Sequence, residues 1–393
     1  MVLSLLPAPG TCRCVYHVLS ARTALLERRA WLCAFSEVRT LTSLFVVQCS
    51  EVYMIPLIVR CLFFLSCSAD YGVKTFAGTP YGSQGWENPS VDGVGSDARV
   101  DASTGFVRDP SSGLLYFSDY YRSTILTFNP NTTEVATVLQ YEFYKSPTSR
   151  VRFGELVFDA RNTLYASGNV NFQGAALLQV DLTTLTVSTV AGSVQQMGYV
   201  DSIVGTEARF GGMWFAIDEE YRVAYVGDAG NHVIRTIVLL GFAENPVGRV
   251  GTFAGKAGSA GNQDGSLEAA RFNNPTNVII DPPTRSLFVA VLDGIRRINL
   301  DQGIVTTISG TVGVQLYPSR GLFYGFIASR VHEINLATGA ERVVAGNGEV
   351  VYKDSDVGLE ASFHNSYDLY VDPPTNTAYV SDWSGTIRGV SAQ

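Results

Sequence analysis

Cysteine is missing from most of this 393-residue chain, and charged side chains make up only 16% of it. The six cysteines all precede residue 70: Cys12, Cys14, Cys33, Cys49, Cys61 and Cys67. Disulfide bonds therefore cannot stabilise the remainder, which must depend on an apolar core. Few charges, with 38 glycines, 19 tyrosines and 21 phenylalanines, favour strands and tight turns over long solvent-facing helices. The composition predicts an all-β fold.

Basic residues are also scarce after residue 70. Six arginines and three glutamates give the earlier part a net charge of +3, and the remaining 22 basic and 33 acidic residues give −11. Only four of those 22 are lysines. Proteins bind nucleic-acid backbones mainly through Lys and Arg, which displace counterions. The sequence therefore predicts no nucleic-acid partner.

The first 69 residues form an N-terminal extension that ends in an apolar segment, residues 52–69, interrupted only by Arg60. Read from an internal start at Met54, residues 54–69 have the order of a signal peptide, with small residues before the cleavage point. The same segment approaches the length of a membrane span and could remain as a signal anchor. A packed N-terminal domain is the third interpretation, and either Met1 or Met54 could be the start.

Either of the first two interpretations sends residues 70–393 into the secretory pathway, as a secreted or cell-surface protein. Asn131-Thr132-Thr133 is an N-glycosylation sequon and points the same way. We therefore expect an extracytosolic domain, with membrane attachment possible only through residues 52–69.

Four segments after residue 70 repeat the same motif order, which indicates blades or solenoid turns. Each has a strand ending in Ala-Gly, a turn with Asp, an Ala-Arg-Phe-like step, a strand ending in Asp, and two further strands. The third-strand motif is Asn-x-x-Ile-Arg-like, as at Asn231 to Arg235. Two shorter units, beginning near Leu156 and Val314, lack the Asp-Gly insertion. The sequence thus contains six modules.

These motifs resemble the NHL repeat, and the resemblance implies a six-bladed β-propeller over residues 70–393. The repeats open with an outermost-type strand, Val73 to Ala77, and finish at Thr386 to Val390, which corresponds to a third strand. We expect the first strand to pair with the last and close the ring.

Metal-binding residues are few. His364 is the best of the three histidines after residue 70, because His232 and His332 occupy repeated positions. Similar propellers hold zinc with three histidines, or calcium with Glu, Asn and Asp oxygens, which makes Asn277 and Asn365 further candidates. Repeated aspartates such as Asp109 and Asp372 more simply cap turns or pair with Arg99, Arg209 and Arg271. We expect no resident cofactor, with calcium as the remaining candidate.

Aromatic residues vary between modules and suit a binding surface. The candidates are Tyr81, Trp86, Tyr120, Tyr121, Tyr199, Trp214 and Trp383. No Gly-x-Ser-x-Gly elbow, P-loop or cysteine nucleophile accompanies them. The sequence predicts a non-catalytic scaffold that binds a protein or a glycan. The alternative is a lyase or lactonase that uses calcium or zinc in the central channel, and catalytic residues for it are not evident.

Overall fold

A computed structural model shows an all-β architecture of six antiparallel sheets. It describes residues 71–80, 90–100, 103–120, 122–141, 151–241, 246–309, 317–319, 322–335, 338–364, 366–382 and 384–392. The N-terminal extension, residues 1–69, lies outside this range. Each sheet has four main strands, with a short fifth strand added in two of them, and is one blade of a six-bladed β-propeller.

The strands follow one another in the same order in every blade. Strand β1, Tyr71–Ala77, comes first along the chain. Blade 1 contains β2 Gly93–Val94, β3 Ser103–Arg108, β4 Leu115–Asp119, β5 Thr124–Phe128 and β6 Glu134–Gln140; blade 2 contains β7 Val151–Phe158, β8 Leu164–Val170, β9 Ala175–Asp181 and β10 Thr186–Ser193; blade 3 contains β11 Trp214–Asp218, β12 Val223–Asp228, β13 Val233–Val238 and β14 Val250–Gly255.

The second half of the ring repeats this arrangement. Blade 4 contains β15 Gly265–Ser266, β16 Val278–Asp281, β17 Ser286–Val291, β18 Gly294–Asn299 and β19 Ile304–Ser309; blade 5 contains β20 Tyr317–Ser319, β21 Leu322–Ile327, β22 Arg330–Asn335 and β23 Glu341–Ala345; blade 6 contains β24 Ser366–Asp372, β25 Thr377–Asp382 and β26 Thr386–Ala392. Short 3-10 turns occur at Gly95–Asp97, Gly205–Glu207, Ala229–Asn231, Pro282–Thr284 and Gly358–Glu360.

The ring closes as predicted. Strand β1 pairs antiparallel with β26, placing Val73 opposite Val390 and Thr75 opposite Arg388. It thereby becomes the outermost strand of blade 6. Val73 and Ala77 are buried in the closed sheet, so the contact joins the two ends of the propeller through both hydrogen bonds and core packing.

The core consists of layers between neighbouring blades. Strands such as β4 and β5 are buried at every position, because both faces of a blade pack against the blades beside it. The repeated motifs provide a short apolar segment for each of these strands. The first strands of neighbouring blades contact one another at all six junctions, which places these strands closest to the axis.

Candidate functional site

One position on the first strands changes from blade to blade. It lies four residues before the repeated aspartate that stands at the end of the strand or directly after it, and we call its members the inner ring: Gly105, Glu155, Trp214, Asn277 and Asp368. The sheet register places Trp214 opposite Gly227, and Asp368 opposite Ser381. Because the first strands lie closest to the axis, the inner ring borders the channel near the end where these strands begin. We call this end the mouth.

Two inner-ring carboxylates bind the backbone of the next blade. The amide of Phe106 in blade 1 donates to Asp368 Oδ2 of blade 6 at 2.7 Å, and the amide of Phe215 in blade 3 donates to Glu155 Oε2 of blade 2 at 2.9 Å. Each donor lies three residues before the aspartate that ends its own strand. The two carboxylates thus make the same contact across two different blade junctions.

Gly105 lies between these carboxylates and contributes no side chain. Its φ of +70° is in the left-handed region, and a Cβ atom there would lie 2.4 Å from the carbonyl oxygen of Gly154 and 2.9 Å from Glu155 Cα. Only glycine allows so close an approach. The backbone of blade 2 therefore packs directly against blade 1 at this position, and Gly105 contributes no side chain to the inner ring.

Glu155 has an unusual ionisation state. Burial, with a smaller contribution from the nearby charge of Asp368, raises the pKa of its carboxyl to about 8, and the hydrogen bond from the Phe215 amide opposes this shift. The carboxyl is enclosed by protein, while Glu155 as a whole residue is half-buried. At neutral pH Glu155 is therefore largely protonated, and it can donate a hydrogen bond where an ionised carboxylate can only accept.

The other inner-ring side chains differ in exposure. Trp214 is 36% exposed, whereas Asn277 is 4% and Asp368 is 1% exposed. The ring therefore presents an accessible indole, the carboxylic acid of a half-buried residue, and two deeply set polar groups. A set of this kind can contact both the apolar face and the hydroxyl groups of a polar ligand.

A second group of residues lies at the mouth, on the links after the second strands of blades 1 and 2 and on the adjacent strands β7 and β8. The guanidinium of Arg152 lies 4.7 Å from the ring centroid of Phe172 and 5.6 Å from that of Tyr120. Asn169 donates to the Tyr120 hydroxyl at 3.2 Å. Tyr120, a predicted surface residue, thus belongs to an aromatic and cationic cluster, and Phe172 is its exposed member.

The histidines do not converge. Nδ1 of His232 accepts from the Asn274 amide at 3.1 Å, and His332 bonds to Glu341. The backbone amide of His364 donates to Asp382 at 3.2 Å, and its buried Nδ1 has no hydrogen-bond partner among the described residues. Within that part of the chain, no three His, Cys, Asp or Glu side chains form a group that could hold a metal.

Tyr199 lies on the outer side of blade 3 rather than at the mouth. Its hydroxyl contacts Thr252 Oγ1 at 2.6 Å, and its ring lies 4.9 Å from the Arg235 guanidinium. Asn131 is exposed in the turn between β5 and β6, so glycosylation there stays a prediction. The remaining candidates lie outside the described residues: Tyr81, Trp86, Tyr121, Asn365 and Trp383.

The repeated aspartates cap turns as expected, but their arginine partners differ from those predicted. Asp159 pairs with Arg222, Asp218 with Arg285, and Asp372 with Arg108, each across a blade junction at 2.7–2.8 Å. Arg209 and Arg271 instead donate to backbone carbonyls of their own segments. These ion pairs connect neighbouring blades, so the repeated aspartates have a structural role.

Sequence reasoning missed Glu155 and Asp368 as site residues. The signal was present: counting back four residues from each repeated aspartate gives a column in which glycine, glutamate, tryptophan, asparagine and aspartate replace one another. A repeated position at which the side chain differs between blades is not set by the repeat motif, and therefore is a candidate for function.

The sheets define a six-bladed β-propeller. No protein-family model and no curated protein matches the chain. Among solved structures, a gluconolactonase from Xanthomonas campestris is 9% identical, with a TM-score of 0.52 and coverage of 75% of this chain and 87% of that one.

A second structure, also named for gluconolactonase, is 11% identical, with a TM-score of 0.51 and coverage of 83% and 93%. An auxiliary nutrient binding protein from Bacteroides thetaiotaomicron is 13% identical, with a TM-score of 0.43 and coverage of 85% of this chain and 78% of that one. At these identities the likenesses show the fold alone. The structure contains no helix, in the part of the chain it describes, that is long and apolar enough to cross a membrane.

Proposed function

We propose that this chain is an extracytosolic NHL-type propeller that binds a glycan at the mouth of its channel without transforming it. The inner ring carries this proposal. Protonated Glu155 supplies a hydrogen-bond donor and Asn277 an amide that can both donate and accept, and sugar hydroxyls require both kinds of partner. Trp214 adds an accessible aromatic face, against which the C–H groups of a sugar can pack.

The proposed location follows from the sequence. Residues 52–69 have the character of a signal peptide or anchor, and Asn131 provides a sequon in an exposed turn. Sequencing the mature N-terminus from native material tests this directly. A chain that begins at Asp70 supports secretion, one extracted from membranes with residues 52–69 intact supports an anchor, and a soluble chain that retains them contradicts both.

The binding proposal is tested by titrating the full chain with neutral mono- and disaccharides in isothermal titration calorimetry. We expect saturable binding by at least one of them, weakened about tenfold or more by Trp214→Ala. The control is Tyr221→Ala, because Tyr221 is also an exposed aromatic residue but lies in the turn between β11 and β12, at the other end of the blade. Equal affinity of the Trp214→Ala variant and the unmodified chain would contradict the proposal.

A second candidate is a calcium-dependent lactonase, favoured by the oxygen donors of Glu155, Asp368 and Asn277 in the inner ring. Calcium prefers such ligands. However, both Asp368 oxygens already accept backbone amides, from Phe106 and from Leu369, and the described residues contain no three-residue metal group. These residues therefore do not form a preorganised calcium site.

Equilibrium dialysis against calcium and zinc separates the two candidates. Stoichiometric metal that is lost with Asn277→Ala or His364→Ala, together with lactone hydrolysis, would favour the enzyme. Saccharide binding that is unchanged by a chelator would favour the glycan-binding protein.

A further inference from the structure

Four blades share a contact at their outer edge. In each, an aspartate from the connection that precedes the blade bonds to a threonine of the outermost strand. We call these dipeptides the edge clips: Asp92-Gly93 for blade 1, Asp201-Ser202 for blade 3, Asp264-Gly265 for blade 4 and Asp354-Ser355 for blade 6. The backbone amides that bond to them belong to Thr137, Thr252, Thr307 and Thr75, at 2.9–3.1 Å.

The residue after the aspartate always meets the same strand position. Gly93 pairs with Val135, Gly265 with Val305, Ser202 with Val250, and Ser355 with Val73. Each partner lies two residues before the bonded threonine. An edge clip is therefore a two-point contact: a carboxylate on the threonine, and a short backbone pairing two residues earlier.

Blade 2 has the strand residues that an edge clip would contact, which we call the receiving positions, but it has no clip. Its outermost strand places Thr189 opposite Leu178, just as blade 3 places Thr252 opposite Arg235. Val187, two residues before Thr189, corresponds to Val250. Blade 5 has valine instead, because Val343 lies opposite His332. Of the two short modules, only blade 2 retains the threonine.

Blade 1 shows that the contact does not require the buried arginine found in blades 3, 4 and 6. Leu126 lies opposite Thr137 there, as Leu178 lies opposite Thr189 in blade 2. Asp92 nevertheless bonds both the amide of Thr137 at 2.9 Å and its hydroxyl at 2.7 Å. Blade 2 is thus equivalent to blade 1 at the receiving positions.

The receiving edge of β10 is open to solvent in the described part of the chain. Thr186, Ser188 and Thr189 are exposed, and Thr189 has no side-chain hydrogen bond there. The preceding connection, residues 141–150, contains no Asp-Gly, and residues 142–150 lie outside the described range. The edge has no charged side chain, whereas β23 of blade 5 begins with Glu341 and Arg342. Charges on an edge oppose strand addition, so their absence leaves β10 receptive.

We propose that the edge of β10 binds an extended Asp-Gly segment from another polypeptide. Its aspartate would accept from the amide and hydroxyl of Thr189, and its glycine would pair with Val187. This is strand addition to an exposed sheet edge, with the carboxylate supplying specificity. The proposal does not depend on the inner ring or on glycan binding.

A labelled peptide with the sequence of residues 91–98, Val-Asp-Gly-Val-Gly-Ser-Asp-Ala, is the probe. Titrated with the full chain and followed by fluorescence anisotropy, it should bind with a Kd on the order of millimolar, because its ordering on binding offsets much of so small a contact. Thr189→Val removes the hydroxyl at constant shape and should weaken binding at least tenfold. The same peptide with its first aspartate replaced by alanine should show the same loss.

Thr186→Val is the matched control, since it makes the same substitution on the same strand outside the receiving positions. It should leave the affinity unchanged, and both variants should melt at the temperature of the unmodified chain. Absence of binding, or equal binding by the alanine peptide, would overturn the proposal. Binding that is insensitive to Thr189→Val would also overturn it, because the peptide would then occupy another surface.

Discussion

Blades 2 and 3 are neighbours with the same four-strand order, yet they differ at both edges. At the outer edge, blade 3 has a clip and a fully buried Arg235, while blade 2 has Leu178 and an open Thr189. At the inner edge, blade 2 has Glu155 where blade 3 has Trp214. The repeat fixes the sheet that lies between the edges, and the edges are free to differ because they contact solvent, insertions or the channel.

Removing a whole outer strand is the most severe way to open an edge. Deleting residues 70–78 removes β1 and exposes β26 of blade 6. We expect loss of the cooperative unfolding transition in calorimetry, because the deletion breaks the ring contact and removes buried Val73 and Ala77. Deleting residues 1–69 instead should leave the transition in place. A shortened chain with an unchanged melting temperature would refute closure by β1.

Arg235→Leu gives blade 3 the residue that blade 2 has at Leu178. Arg235 is fully buried and bonds both Asp201 and Asp228, the latter at 2.9 Å. The substitution leaves the buried Asp228 carboxylate without its cation, at a cost of about 3–5 kcal/mol in free energy of unfolding.

Urea denaturation measures this loss, and the double variant Arg235→Leu with Asp228→Asn should recover part of it. A loss below about 1 kcal/mol would show that buried charge does not distinguish the two blades.

Glu155 at the inner edge of blade 2 should make the stability of the protein depend on pH, whereas Trp214 at the same position in blade 3 cannot titrate. Its folded pKa of about 8 lies above its ordinary value of 4.5, so the folded state favours the protonated carboxyl. That stabilisation is complete below pH 4.5 and is lost as the pH rises through 8.

Glu155→Gln cannot titrate, and at pH 9 it should exceed the unmodified chain in stability by on the order of 2 kcal/mol. Melting temperatures from pH 4 to 9 test this. The exposed Glu134 provides the control substitution Glu134→Gln, which should follow the unmodified chain at every pH. Parallel curves for Glu155→Gln and the unmodified chain would contradict the assignment.

The smallest effect is expected from a clip that lacks a buried arginine. Asp92→Ala removes two hydrogen bonds to Thr137 on the surface of blade 1, and should cost about 1 kcal/mol in urea denaturation. Asp97→Ala, an exposed aspartate in the adjacent 3-10 turn, should cost less. If the two losses are equal, the clip contributes no more than an ordinary surface charge.

Strand order and closure were predictable because they depend on local patterns. Short apolar runs, Ala-Gly ends and Asp turns recur in the chain, and the surplus strand at Val73 has one complementary gap at Thr386 to Val390. The charge pairs were not predictable. Asp372 and Arg108 are separated by 264 positions and meet only across the junction that closes the ring, so their positions in the repeat gave no indication of the pairing.

The sequence by itself determined six modules, their all-β character and the strand that closes them, since each depends on the spacing of apolar residues and turns. Tertiary structure alone decided which residues face one another across blades. Glu155 meets Phe215, and Asp368 meets Phe106, because the curvature of the ring brings first strands into contact. The same curvature gathers five unrelated residues into one ring around the channel, which no local pattern specifies.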